Sequence, residues 1–143
     1  MKLKIILFCI FFFASNSMVM ADLCDDVWIG PNVNTEALSN CKILAEQGNS
    51  GAQLEYGLLL IRLPDKYKNI SEGIHWIRKS AQSGNKYAQV GLATFLSNEK
   101  FEKNLINYPE AYAWFAVLND NVSMKVLSTK MNKQELELSK MLA

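Results

Sequence analysis

The chain has one histidine, His75, among its 143 residues, and it lacks an HExxH motif, a glycine-rich phosphate loop and a serine-nucleophile motif. A metal centre needs several His, Cys or carboxylate ligands at converging positions, and none are spaced for one, so neither metal nor cofactor is expected. Glu72 precedes His75 by three residues, but a lone i, i+3 pair on a helix is ordinarily a surface contact. No enzyme is expected on these grounds. Excess charge of one sign is also missing. The formal net charge is +1, whereas nucleic-acid binding asks for a clustered basic surface.

No apolar run approaches the roughly 20 residues needed to cross a bilayer. The longest, "IILFCIFFFA", follows Lys2 and Lys4 and precedes "SNSMVMA". Basic start, short apolar centre and small residues beyond it read as a secretory signal peptide over 1–21. Val19 and Ala21 suit the −3 and −1 sites of cleavage after Ala21, leaving no stable membrane insertion. Cys9 departs with this segment. Cys24 and Cys41 remain, an even number in an exported chain, and are expected to form one disulfide.

The rest of the chain repeats itself. "AEQGNSGAQ" from Ala45 returns as "AQSGNKYAQ" from Ala81, a step of 36. Gly48-Asn49 and Gly84-Asn85 read as a helix end followed at once by a helix start, because Gly tolerates the left-handed cap and Asn caps the next helix. Between them "RLPDKYKN" breaks a helical pair. Asn69 with Glu72, and Asn107 with Glu110, form capping-box patterns, and Pro109 sits in a first turn where its missing N–H costs little. Trp76 returns as Trp114 after 38 residues, so the second unit carries two extra residues, most simply in "SNEKFEKNLIN". The third turn has no Gly, and Asn119 or Asn121 must take its place.

A helix–turn–helix unit of this period signals an α-solenoid, in which stacked neighbours share a core that one hairpin cannot build alone. Ala52, Gly57, Ala88 and Ala93 are expected where helix backbones approach closely. Repeated at helical spacing, Trp76 and Trp114 read as core. The charged "KMNKQELELSK" reads as the solvated face of a closing helix, with Leu136, Leu138, Met141 and Leu142 on or near its packing side.

These residues resemble Sel-one-like repeats, relatives of the tetratricopeptide repeat. The match lies in the A-x-x-G-x-x-x-A-Q core, the acidic residue with Gly57 or Ala93 in the first helix, and E-x-[apolar]-x-W in the second. "PEAYAWFAVL" followed by "STKMNKQELELSKMLA" resembles the terminal capping helix of exported bacterial members. The resemblance spans 36–143. It implies an all-α, right-handed solenoid with an N-terminal segment and half repeat over 22–44, repeats over 45–80 and 81–118, and a capping helix over 119–143.

In arrays of this kind the first helices line the concave face. That places a candidate partner-binding groove on Leu54, Leu58, Ile61, Arg62, Tyr87, Val90, Thr94 and Asn98, with an apolar floor and a polar end. Alternatively, the N-terminal segment with Trp28 and Ile29 folds over this stripe. The resemblance implies a periplasmic protein whose partner is another protein. Its sharpest form is an immunity protein against a secreted antibacterial toxin, such as a type VI phospholipase effector. An adaptor or assembly factor for an envelope complex is the alternative. A hydrolase of cell-wall-like substrates is a remote third, since cysteine-rich relatives have been linked to penicillin binding.

Overall fold

The structure, a computed structural model, describes residues 24, 27–29 and 32–143. The expected signal peptide and its cut site lie outside the described residues. A two-residue antiparallel ladder, β1 (Trp28–Ile29) with β2 (Asn32–Val33), leads into seven helices. These are α1 (Thr35–Glu46), α2 (Ser50–Arg62), α3 (Ile70–Gln82), α4 (Lys86–Ser97), α5 (Tyr108–Val117), α6 (Asn121–Ser128) and α7 (Lys133–Leu142). A short 3-10 helix, Lys103–Leu105, lies between α4 and α5. Each helix from α1 to α5 packs on the next in line, and both α6 and α7 pack on α5. The segment 119–143, expected as one capping helix, thus holds two, because Asn132 opens a second helix with a full capping box to Glu135.

One turn is used three times. Gly48 and Gly84 have φ of 90° and 86°, and Asn119 takes the same left-handed region at 58°. In each case the next N–H reaches five residues back: Asn49 to the Leu44 carbonyl at 3.2 Å, Asn85 to Ser80 at 3.2 Å, and Asp120 to Phe115 at 2.9 Å. That residue then caps the following helix, accepting at its side-chain oxygen from the N–H of Ala52, Ala88 or Ser123. Gln53 and Gln89 add a further tie, donating to the Ala45 and Ala81 carbonyls at 3.1 and 3.2 Å. Asn69 and Asn107 cap α3 and α5. Their backbone N–H groups close the hairpins onto the Leu60 and Leu96 carbonyls. The extra length of the second unit falls between those anchors, where the 3-10 helix sits.

α2 is apolar on two sides, and both are covered. Ala52, Tyr56 and Leu60 share a buried cluster with Cys41, Leu44 and Ala45 of α1, with Cys24 and with Trp76. Leu54 and Ile61 belong to the main core with Ile74, Ile77, Leu92 and Phe115. α2 and α3 cross where each has a glycine. A Cβ on Gly57 would lie 2.7 Å from the Gly73 carbonyl oxygen, and one on Gly73 would lie 2.6 Å from that of Gly57. The equivalent residues of the next crossing, Ala93 and Ala111, are fully buried. The Arg78 guanidinium spans α3 and α5 with two bonds to Glu110, at 2.7 and 3.1 Å.

Cys24 and Cys41 are disulfide-bonded across 17 residues of sequence. Closing a loop of that length contributes about 3 kcal/mol. Replacing both by Ser is therefore expected to lower unfolding free energy by about that amount in urea titrations, and reductant should shift the native chain but not the double variant. Glycine substitutions should diverge in sign. Gly57→Ala gains helix propensity but overpacks a backbone contact, for a net loss of about 1–2 kcal/mol. Gly91→Ala, with nothing within 4 Å of the added Cβ, should gain about 0.5–1 kcal/mol. Thermal melts of the two variants measure this difference directly.

Candidate interaction face

The phase of the repeats lines up the first helices of successive pairs. Asn49 of the α2 turn corresponds to Asn85 of the α4 turn and Asp120 of the α6 turn. On α4, Tyr87, Val90, Gly91 and Thr94 recur at i, i+3, i+4 and i+7, on the side away from buried Ala88, Leu92 and Leu96. Tyr87 is 83% exposed and Val90 49%. The corresponding outward row of α6 is Val122, Lys125 and Val126, continued by its C-cap Thr129, with Val122 76% and Val126 53% exposed. On α2 the row is Gly51, Glu55, half-buried Leu58 and Arg62.

The expected groove is therefore redrawn. Leu54 and Ile61 do not form its floor. They sit at the edge of α2 that α3 and α4 cover, and Ile61 lies against Gly73. Leu58, Arg62, Tyr87, Val90, Thr94 and Asn98 keep exposed or half-buried positions. Two of the polar groups are engaged locally. The Thr94 hydroxyl donates to the Val90 carbonyl at 2.8 Å, and the Asn98 side chain accepts from the Lys100 N–H at 3.0 Å as α4 ends. The alternative cover, the side chains of Trp28 and Ile29, lies outside the described residues. Val122 and Val126 were not among the sequence candidates. Their signal was the left-handed Asn119, which fixes the phase of α6 and makes Val122 the counterpart of Tyr87.

α6 is held in place by a polar brace. Glu99, just beyond α4, accepts from the Tyr108 hydroxyl at the start of α5 and from the Lys130 ammonium just beyond α6, both at 2.5 Å. The Lys130 nitrogen also stands 5.4 Å from the centre of the Tyr108 ring. These bonds to Lys130 and Tyr108 hold the Glu99 carboxyl below its ordinary 4.5, and the bond to Glu99 raises Lys130 above its ordinary 10.5.

His75 is exposed, and the carboxylate of Glu72 is not turned to it. Glu72 instead accepts from the Asn69 amide at 3.0 Å and the Trp76 indole N–H at 3.5 Å. Among the described residues no group of three or more His, Cys, Asp or Glu is placed to share a metal ion, and no helix is long and apolar enough to cross a membrane.

The two tryptophans differ. Trp76 is buried edge-on against Tyr56 at 5.7 Å between ring centres, with the Lys79 ammonium 4.5 Å from its own centre. Trp114 is only half-buried, and Val117 replaces the lysine. With Ala113, Val117 and Leu142 it lines a groove of about 440 Å³ rimmed by Gln82, Asn107 and Glu110. Leu138, Met141 and Leu142 are exposed rather than packed, because α7 turns Ser139 inward.

The brace makes a pH prediction. A lowered carboxylate pKa contributes stability above the unfolded value and loses it as pH falls through the folded value. A raised ammonium pKa contributes below its unfolded value and loses it as pH rises through the folded one. The stability gap between the native chain and Glu99→Gln should be open at neutral pH. It should close in acid below 4.5 and in alkali above 10.5. Urea unfolding across that range measures it.

No protein-family model and no curated protein sequence matches the chain. Among solved structures, the chain is similar to the crystal structure of a protective antigen present in uropathogenic Escherichia coli strains, which displays an SLR (Sel-one-like repeat) fold. The TM-score is 0.64 at 21% identity, and the match covers 87% of this chain and 28% of that one. The chain thus spans less than a third of the length of that protein. At this identity the likeness is one of fold, and it agrees with the turns, crossings and caps described above: the chain is an all-α solenoid with the Sel-one-like repeat fold.

Proposed function

We propose that the chain is a protein-binding module that docks its partner on the outward row of α2, α4 and α6. The observation that carries this reading is the exposure of Tyr87 and Val90 on α4 and of Val122 and Val126 on α6, with Tyr87 and Val122 at corresponding positions. Tyrosine is among the residues that most often anchor binding energy, with apolar neighbours excluding water around it, and a face formed before association limits the ordering cost. The Cys24–Cys41 bridge supports an oxidising compartment, in keeping with the signal-like start of the sequence. Export to the periplasm is part of the proposal, as are the repeat boundaries at 45–80 and 81–118.

The narrower reading is an immunity protein that occludes a secreted antibacterial toxin. A small exported scaffold with a preformed face is compatible with it. An envelope adaptor is the alternative. The two differ in the partner's origin, a competitor in one case and the cell's own envelope in the other.

The test uses the chain with residues 1–21 retained and a C-terminal tag. Proteins that co-purify are identified by mass spectrometry, from cells alone and from cells exposed to secreted proteins of a sibling strain. Tyr87→Ala with Val122→Ser is expected to weaken recovery of the main partner by about 2–4 kcal/mol of binding energy while leaving the thermal melt unchanged. Recovery indifferent to both substitutions would overturn the docking face. Survival of expressing cells against a toxin encoded beside the chain supports immunity, and absence of protection removes that reading.

A further inference from the structure

We propose that the face selects an acidic partner segment, one that sets carboxylates beside two or more apolar side chains; the inference rests on the docking role of this row. Three exposed cations stand on the three helices of the row: Arg62 at the end of α2, Lys86 next to Tyr87 in the chain at the start of α4, and Lys125 on α6 between Val122 and Val126. None of the three takes part in an ion pair among the described residues. α4 and α6 contain no acidic residue at all. Two acids lie close to them in the chain. Asp120 accepts from the backbone N–H and the hydroxyl of Ser123, at 3.1 and 2.6 Å, as the cap of α6. Glu99 is held by Lys130 and Tyr108. Glu55, on α2, is the acid that remains on the outward row.

The row therefore offers an aromatic anchor at Tyr87, valines on either side, and three cations, two of them on helices that hold no acid of their own, against the two negative charges of Asp120 and Glu55. α5 lies between them in the packing order, and a segment that spans α4 and α6 is placed to meet three exposed valines, Val90, Val122 and Val126, and both lysines. A carboxylate placed there gains Coulomb attraction without displacing an existing pair. A lysine or arginine placed there meets like charge while its apolar neighbours are being buried. The attraction speeds encounter and rejects wrong partners more than it adds affinity, so apolar contact sets the strength and charge sets the choice.

The contrast with the groove at Trp114 supports the assignment. That groove is apolar too, but its rim is Gln82, Asn107 and Glu110, and Glu110 is already held by Arg78. It carries no unpaired charge to discriminate between partners.

The experiment is selection from displayed random peptides of about 16 residues, long enough as a helix to cross two packed helices. The target is the disulfide-bonded chain. Enriched peptides are expected to be net acidic with apolar residues interspersed. Tyr87→Ser should weaken them by about tenfold or more. Lys86→Glu and Lys125→Glu should each weaken them by about twofold to fivefold, and the loss should shrink in high salt. All three side chains are exposed, and circular dichroism checks that the variants fold.

Neutral or basic peptides that still depend on Tyr87 would overturn the acidic preference and leave the docking face standing. Peptides indifferent to Tyr87, or no enrichment at all, would overturn both. Two further arms test other occupants. Concentration-dependent dimerisation in sedimentation, lost in Tyr87→Ser, would make a second copy the occupant and overturn the proposal. So would Tyr87-dependent binding to phosphatidylglycerol vesicles without peptide enrichment.

Discussion

Everything in this molecule hangs on a backbone turn that only a few residues can make. α1 and α2, α3 and α4, and α5 and α6 are each joined by a residue at positive φ followed directly by the next cap. For an ordinary side chain the left-handed region is costly, and Gly or Asn takes it most readily. With so short a connection, the direction of each new helix is fixed by the end of the last. The solenoid needs no long-range instruction to repeat. It needs the same local event three times, with the Gln53 and Gln89 amides tying two of those turns to the carbonyls they face.

The crossings inside the units are a second constraint of the same kind. Gly57 and Gly73 bring two helix backbones into direct contact, and the neighbouring crossing is made by Ala93 and Ala111. Small residues there let larger ones interlock at either side, where Ile61, Ile74 and Ile77 lie in one core. The first crossing thus carries no methyl group on either helix, where the second carries one on each.

The fold was legible in the sequence because its determinants are local: Gly-Asn turns, Asn caps and small residues recur at fixed steps. Asn119 or Asn121 could be expected at the third turn because phase demanded a left-handed residue where no glycine was present, and Asn119 takes that role. The exposure of the candidate face was legible only in part. Tyr87 and Val90 are exposed as helical spacing suggested, but Leu54 and Ile61 are buried. Which edge of an apolar helix is covered depends on the angle at which neighbours pack, and spacing along one helix carries no record of that angle. The split of 119–143 into two helices was missed because the cap at Asn132 sits within a run that is helical in composition on both sides. Trp114 was read as the twin of Trp76, yet a residue near the end of an array has fewer neighbours to bury it.

That last point has a thermodynamic side. In a linear array stability is a sum of unit and neighbour terms, and end units open most readily. α6 is eight residues long, packs chiefly on α5, and is tied at its far end through Lys130. Val122, Lys125 and Val126 stand on it, so two of the four exposed apolar side chains of the outward row are carried by the helix with the least behind it. On the proposed docking role, occupancy of the face and closure of the last unit are one equilibrium: warming would loosen the grip on a partner before the rest of the chain unfolds, and a bound partner would slow exchange of the α6 amides with solvent.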